Sequence, residues 1–209
     1  MKSRILPWAA AWLMLLCASS CRILAPLPDH SERHLLEPAA PARAAAIPDG
    51  PAVAVARTQL PAYLDRTSLV LRDGEGTLAP SPLALWGEPL DIALARVTAA
   101  NLRALTGNAR ILPAADFTAL DYDTLIELRI HRFEEDRTGS LRLEASVTFV
   151  PIRPVESEKP RTTHHKITRP ISFPEGAVSP HRRAPAVIEA MNDSLVGLAE
   201  KIAAMLSGD

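Results

Sequence analysis

The chain has 209 residues, with 23 Lys and Arg against 24 Asp and Glu, giving a formal net charge of −1. So even a balance excludes the basic excess with which proteins grip phosphate backbones, and no nucleic-acid role is expected. No internal repeat is visible, and the length suits one domain with a leader and a tether.

Lys2 and Arg4 open the chain, and Ile5 to Leu16 is apolar with one proline. Ala18, Ser19, Ser20 and Cys21 follow. Basic, apolar, then small is the order of a secretory signal. The apolar run falls short of the ~20 residues that span a bilayer. Small residues before a cysteine resemble a bacterial lipobox, with Ala18 where leucine is usual. That resemblance makes residues 1–20 a lipoprotein signal and Cys21 the acylated N-terminus. Cys17 is the weaker candidate, because Leu15 and Leu16 before it are too bulky for a cut. If Cys17 leaves with the signal, the remaining cysteine is a thioether. It can then form neither an intrachain disulfide nor a metal site with partners at ligand spacing. Several acyl chains give stable anchoring where one gives marginal binding. Arg22 follows the cysteine instead of aspartate, which by resemblance to enterobacterial lipoproteins points to the outer membrane.

Residues 21–50 read as a Pro/Ala-rich tether, with prolines at 26, 28, 38, 41 and 48 before Pro51. Such spacing prevents a long helix or a central strand. One apolar interruption, Arg33 to Glu37, is expected to form a short strand docked on the domain.

From residue 51 to 209 the pattern is that of a single domain. Strands are expected at 52–57 and 68–72, with a turn at 74–76. The stretch 77–86 looks irregular, and Pro80 and Pro82 should confine any strand there to an edge. A helix is expected from about Pro89 to Leu105, opened by Glu88, Pro89 and Asp91 and closed by Gly107. Its apolar stripe is Leu90, Leu94, Val97, Ala104 and Leu105, with Asn101 inside the stripe as a buried amide bonded to backbone. A strand at 109–113 follows. Residues 123–135 and 141–150 alternate with period two, as a hairpin with one buried face. A weaker strand at 162–172 should lie near an edge. Ala184, Ile188, Met191, Leu195, Leu198, Ile202 and Met205 step by four and three, which predicts a long amphipathic helix covering the sheet. The fold class is therefore α/β, a mixed and largely antiparallel sheet packed by two long helices.

Two motifs carry a family resemblance. Leu60, Pro61, Tyr63, Leu64, Asp65 and Arg66 precede a strand ending in Arg72, and Trp86, Glu88, Pro89 and Leu90 lead into the first helix. With the last helix, they resemble the ABC-type transport auxiliary lipoproteins, the PqiC/YmbA-like family, over most of the chain from Arg33 onward. Departures are Arg33-His34-Leu35-Leu36 in place of a tyrosine-rich strand, Leu85 where arginine is common, and Thr67 where proline is frequent. Pro61, Tyr63, Leu64, Asp65, Arg66, Trp86, Glu88, Pro89 and Leu90 have two readings. They fold a turn and anchor the core, or they form a partner-docking rim. Asp65 and Arg66 are expected to tie the turn backbone.

The six histidines show no HExxH or comparable ligand spacing, and His164 and His165 should point to opposite faces of a strand. No nucleophile elbow or Gly-rich phosphate loop is present. No cofactor, no metal and no catalysis are expected. The resemblance implies an accessory component at the periplasmic face of the outer membrane, held by its lipid anchor. The partners it implies are an MCE-type periplasmic protein and an inner-membrane permease moving lipid or another apolar molecule. Self-association into a homo-oligomer is left open. The alternatives are a structural or assembly lipoprotein of another envelope complex and a periplasmic enzyme.

Overall fold

A computed structural model describes residues 29–42, 50–73, 75–118, 121–153, 159–176 and 179–207. The signal segment, Cys21, Gly74 and half of the expected tether lie outside the described residues. The strands are β1 (Glu32–His34), β2 (Val53–Val55), β3 (Ser68–Arg72), β4 (Leu78–Trp86), β5 (Ile111–Pro113), β6 (Thr124–Glu135), β7 (Ser140–Pro151) and β8 (Arg161–Pro170). The helices are α1 (Leu90–Thr106) and α2 (Pro180–Ser207). They build a mixed α/β domain with two sheets, one ordered β1-β4-β3 and the other β5-β2-β6-β7-β8. β2 runs parallel to both β5 and β6, whereas β6, β7 and β8 form long antiparallel ladders.

β4 corrects the expectation of an edge. It is the middle strand of its sheet, with β3 on one side and β1 on the other. The prolines are tolerated because β1 pairs only with Ala84–Trp86. Pro80 faces Val70 of β3, and Pro80 and Pro82 both precede the span that β1 covers. On the β1 side no strand lies alongside either proline, so their missing N–H groups cost no ladder bond there.

α1 starts after Pro89 and ends at Gly107, whose φ of 72° and N–H bond to the Arg103 carbonyl make a left-handed stop. Leu90, Leu94, Val97 and Asn101 are buried as the stripe predicted; Leu102 joins them, and Ala104 and Leu105 are half-buried. α2 buries Ala184, Ile188, Met191, Leu195, Leu198 and Ile202. Its buried stripe also takes in Val187, Ala190, Ser194 and Ala199, because the helix packs on β7 and β8 and against α1. Ile126 and Leu128 of β6, and Leu143 and Val147 of β7, belong to the same core.

The alternation of β6 breaks once. Ile130 pairs with Ala145 and Arg132 with Glu144, leaving His131 as a bulge. Beyond it Phe133 faces Leu143 across the ladder, so the core phase restarts one residue later. Glu135 ends the strand buried. Burial pushes its carboxyl up, while the adjacent Arg183 guanidinium draws it back down. Arg183 also donates to the Arg72 carbonyl at 2.9 Å and lies 4.4 Å from the Phe173 ring centroid. The start of α2 is thereby bonded to the ends of β3 and β6.

Candidate functional site

The two motifs meet. Trp86 donates its N–H to the Thr67 carbonyl at 2.7 Å, and Leu85 pairs with Ser68 in the ladder. Arg57 is ion-paired with Asp91, and that hydrogen bond holds the Arg57 guanidinium even more firmly protonated than usual. A cleft of about 450 Å³ opens between these segments, lined by Arg33, Asp65, Arg66, Trp86, Glu88 and Pro89 among others. α1 begins at its wall, so the helix N-terminus and the motif turn share one end of the domain.

Within the motifs the residues divide by depth. Leu64, Trp86 and Leu90 are 3–5 % exposed and belong to the core. Pro61 starts a turn closed by the N–H groups of Leu64 and Asp65 on its carbonyl, at 2.9 and 3.3 Å. Asp65 and Arg66 were expected to tie that turn. Their side chains are exposed instead, and main-chain bonds suffice to close it. Pro89 is exposed, and half-buried Glu88 is ion-paired with Arg96.

Tyr63 caps a sheet edge. β2 accompanies β6 only as far as Ile126, with a single further bridge between Gln59 and Arg129. Farther along, the Phe133 N–H donates to the Tyr63 hydroxyl at 3.3 Å, and that hydroxyl donates to the Glu134 carboxylate. Burial first, then the bond to Glu134, pushes the phenol's pKa well up, so the group remains a donor. The hydroxyl therefore satisfies a strand amide beyond the reach of β2.

Next to the cleft lies a feature the hydrophobic pattern did not reveal beyond its short strand. After β1, residues 35–40 form a strap over α1 and α2. Gly87 donates its N–H to the His34 carbonyl at 2.8 Å, and the Leu35 side chain lies against Gly87 so closely that a Cβ there would meet it at 3.0 Å. Arg96, braced by Glu88, donates to the Leu36 carbonyl at 2.8 Å. Asn101 Oδ1 accepts from the amides of Ala39 and Ala40, both at 3.0 Å, and Asn192 Oδ1 accepts from Glu37 at 3.1 Å. Leu36 is fully buried, while Leu35 is 47 % exposed. Ile92, in the first turn of α1, is 42 % exposed. These two are the exposed large hydrophobic residues among those described. Asn101 is thus the buried, backbone-bonded amide that its place in the apolar stripe suggested. Its partners lie about sixty residues upstream, a distance that no local pattern encodes.

The outer face of the large sheet is polar. Ser146 on β7 bonds His131 Nε2 at 2.6 Å and His164 Nδ1 at 2.9 Å, while His165 turns to the other face, where burial and Lys201 lower its pKa. Serine beside histidine invites a nucleophile reading. However, β7 is laddered on both sides, so its amides are engaged and leave no oxyanion donors beside Ser146. Among the described residues no cluster of three or more His, Cys, Asp or Glu is arranged to hold a metal, and no helix is long and apolar enough to cross a membrane.

A family comparison states the class to which this fold and its two motifs belong. The family described as ABC-type transport auxiliary lipoprotein component matches residues 34–203, and the chain belongs to that family. Among solved structures, an uncharacterized protein is similar at 14 % identity and TM-score 0.62, covering 84 % of this chain and 98 % of its own. Protein XCC0632 from Xanthomonas campestris is similar at 16 % identity and TM-score 0.58, covering 81 % and 92 %. At these identities the likeness is one of fold. No curated protein sequence matches this chain.

Proposed function

We propose that this chain is a non-catalytic accessory lipoprotein, anchored through Cys21 to the periplasmic face of the outer membrane. It serves an ABC-type transport system in which an MCE-type periplasmic protein and an inner-membrane permease handle lipid or another apolar molecule. The family's description as an auxiliary component supports the non-catalytic role. The Ala18-Ser19-Ser20-Cys21 sequence supports the anchor, and Arg22 in place of aspartate supports the outer membrane over the inner.

The observation that carries the docking part of this reading is the convergence of both motifs on one cleft. Its floor, Trp86 and Leu90, is core. Its rim offers Arg33, Asp65, Arg66 and Pro89, with Leu35 and Ile92 as nearby exposed apolar side chains. Charged groups around a small apolar anchor suit a protein partner. Half-buried Tyr63 and buried Trp86 act here as scaffold, and the exposed rim makes the contact.

Affinity capture of the tagged chain from solubilised envelopes tests the reading. Recovery of a permease, its ATPase and an MCE-type protein is expected. Reproducible recovery of a different envelope assembly instead would overturn the transport assignment. Fatty-acid labelling tests the anchor: Cys21→Ala should lose the label and leave the outer-membrane fraction, and Cys17→Ala should keep both.

A further inference from the structure

We propose that the open edge of β8 docks an extended, acidic segment of a protein partner, which joins the large sheet as a further strand. The order β5-β2-β6-β7-β8 leaves β8 outermost, with β7 on one side and no strand on the other among the described residues.

The outer strands of the two sheets are not alike. β1, β3 and β5 are three, five and three residues long. Brevity is one way a protein blunts an edge. β8 runs for ten residues, and its ladder with β7 keeps register from Arg161 to Pro170 without a bulge. Proline enters it only at the last position. The Ile171 N–H donates to the Gly139 carbonyl at 3.2 Å, which sets the phase of that ladder. Antiparallel partners alternate between bonded and non-bonded pairs, so Thr162, His164, Lys166 and Thr168 turn their main-chain N–H and C=O groups outward. Such a row at two-residue spacing is a template for strand addition.

The remaining guard on this edge is charge, and it has one sign. β8 holds Arg161, Lys166, Arg169 and two histidines, and no acid. A cleft of about 530 Å³ lies between β8 and α2, lined by Lys166, Arg169, Gly197, Glu200 and Lys201 among others. The Arg161 guanidinium is committed to the Phe149 ring, and Lys166 lies 3.8 Å from Glu144. Arg169 and Lys201 form no ion pair among the described residues. α2 makes room for the first of them. Glycine weakens a helix interior, yet a Cβ at Gly197 would stand 2.7 Å from Arg169 Nη2. The half-buried guanidinium therefore rests against the helix, on the face of β8 that buries Ile167.

Charge also decides between occupants. Two copies of β8 laid edge to edge bring only cations and histidines together, and like charges across a ladder are destabilising. An acidic strand instead meets Arg169 and Lys201 on the helix side and Lys166 on the other. The inference is independent of the Arg33 and Arg66 rim, so either can fail alone.

The test uses the full chain and two fluorescent peptides as long as β8, one alternating glutamate with threonine and the other alternating lysine with threonine. The acidic probe should bind at least about tenfold more tightly than the basic one. It should also slow hydrogen exchange of the His164, Lys166 and Thr168 amides by about tenfold or more. Arg169→Glu with Lys201→Glu should reverse the preference between the probes. Equal binding of both probes, or no binding of the acidic one, would overturn the proposal. Binding that leaves those three amides unprotected would overturn it too, because charge alone then accounts for the contact. Should the double variant not fold, the unaltered chain decides: N-methylation throughout the acidic probe should abolish its binding, and retained binding would contradict strand addition. A concentration-dependent oligomer that Thr168→Pro dissolves would give the edge to a second copy and equally overturn the partner assignment.

Discussion

Leu198 and Asn101 are buried to the same depth, each with 0 % exposure, yet they hold the molecule together in different ways. Leu198 sits in α2 among the side chains of the large sheet, where apolar area and close packing stabilise the contact. Asn101 sits on α1 under the strap, where two hydrogen bonds to main chain replace the packing. One region is held by many small non-directional contacts. The other is held by a few directional bonds whose loss is local. The first kind of region makes a stable platform, and the second can open locally while the platform stands.

Breaking the first region should give the largest effect. Leu198→Ala removes buried methyl groups from a site with neighbours on two sides and should cost ~2–5 kcal/mol in denaturant unfolding. A stable, monomeric domain after deletion of residues 184–209 would show instead that α2 serves a partner.

Tyr63→Phe lies between the two regions. It leaves the ring and removes the hydroxyl, so the Phe133 amide and the Glu134 carboxylate lose a partner together. An unsatisfied buried group costs about 1–3 kcal/mol, so a lowered melting temperature is expected even though packing is unchanged. An unchanged melt would mean that water replaces the hydroxyl and that the edge needs no cap.

Asn101→Ala should sharpen the contrast. Strap amides should lose protection, with a global cost smaller than that of Leu198→Ala. Equal loss of protection in the β6–β7 ladder would merge the two regions into one cooperative unit.

The smallest effect concerns pH. The Thr138 hydroxyl, followed by the Ser140 and Thr138 amides, holds the Asp136 carboxyl below its usual pKa in the hairpin turn. A depressed carboxylate stabilises the fold above its unfolded-state pKa of about 3.9. That contribution is lost as pH falls through the lower folded value. Thr138→Val should therefore lower stability modestly at neutral pH, leave it nearly unchanged well below pH ~3, and so flatten the acid limb between. A parallel shift across the whole pH range would contradict the assignment.

The same division explains what the sequence could disclose. Period-two alternation in β6 and β7 and the four-three steps of α2 record one buried face each, so both elements were legible along with the core they share. Burial of Asn101 was legible too, because it stands in the stripe of α1. Its partners were not, since a main-chain contact leaves no pattern in the residues contacted. The central position of β4 was hidden by Pro80 and Pro82, whose meaning depends on how far β1 extends. The motif residues were visible as a set, but their depth was not. Leu64 and Trp86 are core, while Asp65 and Arg66 face solvent a residue or two away from Leu64.

The central claim is that the motifs build a buried floor and an exposed rim, with partner contact confined to the rim. A paired measurement on Arg33→Glu with Arg66→Glu tests it most directly, by melting temperature and by capture of the MCE-type partner from the same preparation. The account predicts an unchanged melt and lost capture. Full capture by the charge-reversed protein would contradict it and move the partner surface to the open polar face of the large sheet, where Arg129 and Glu144 lie.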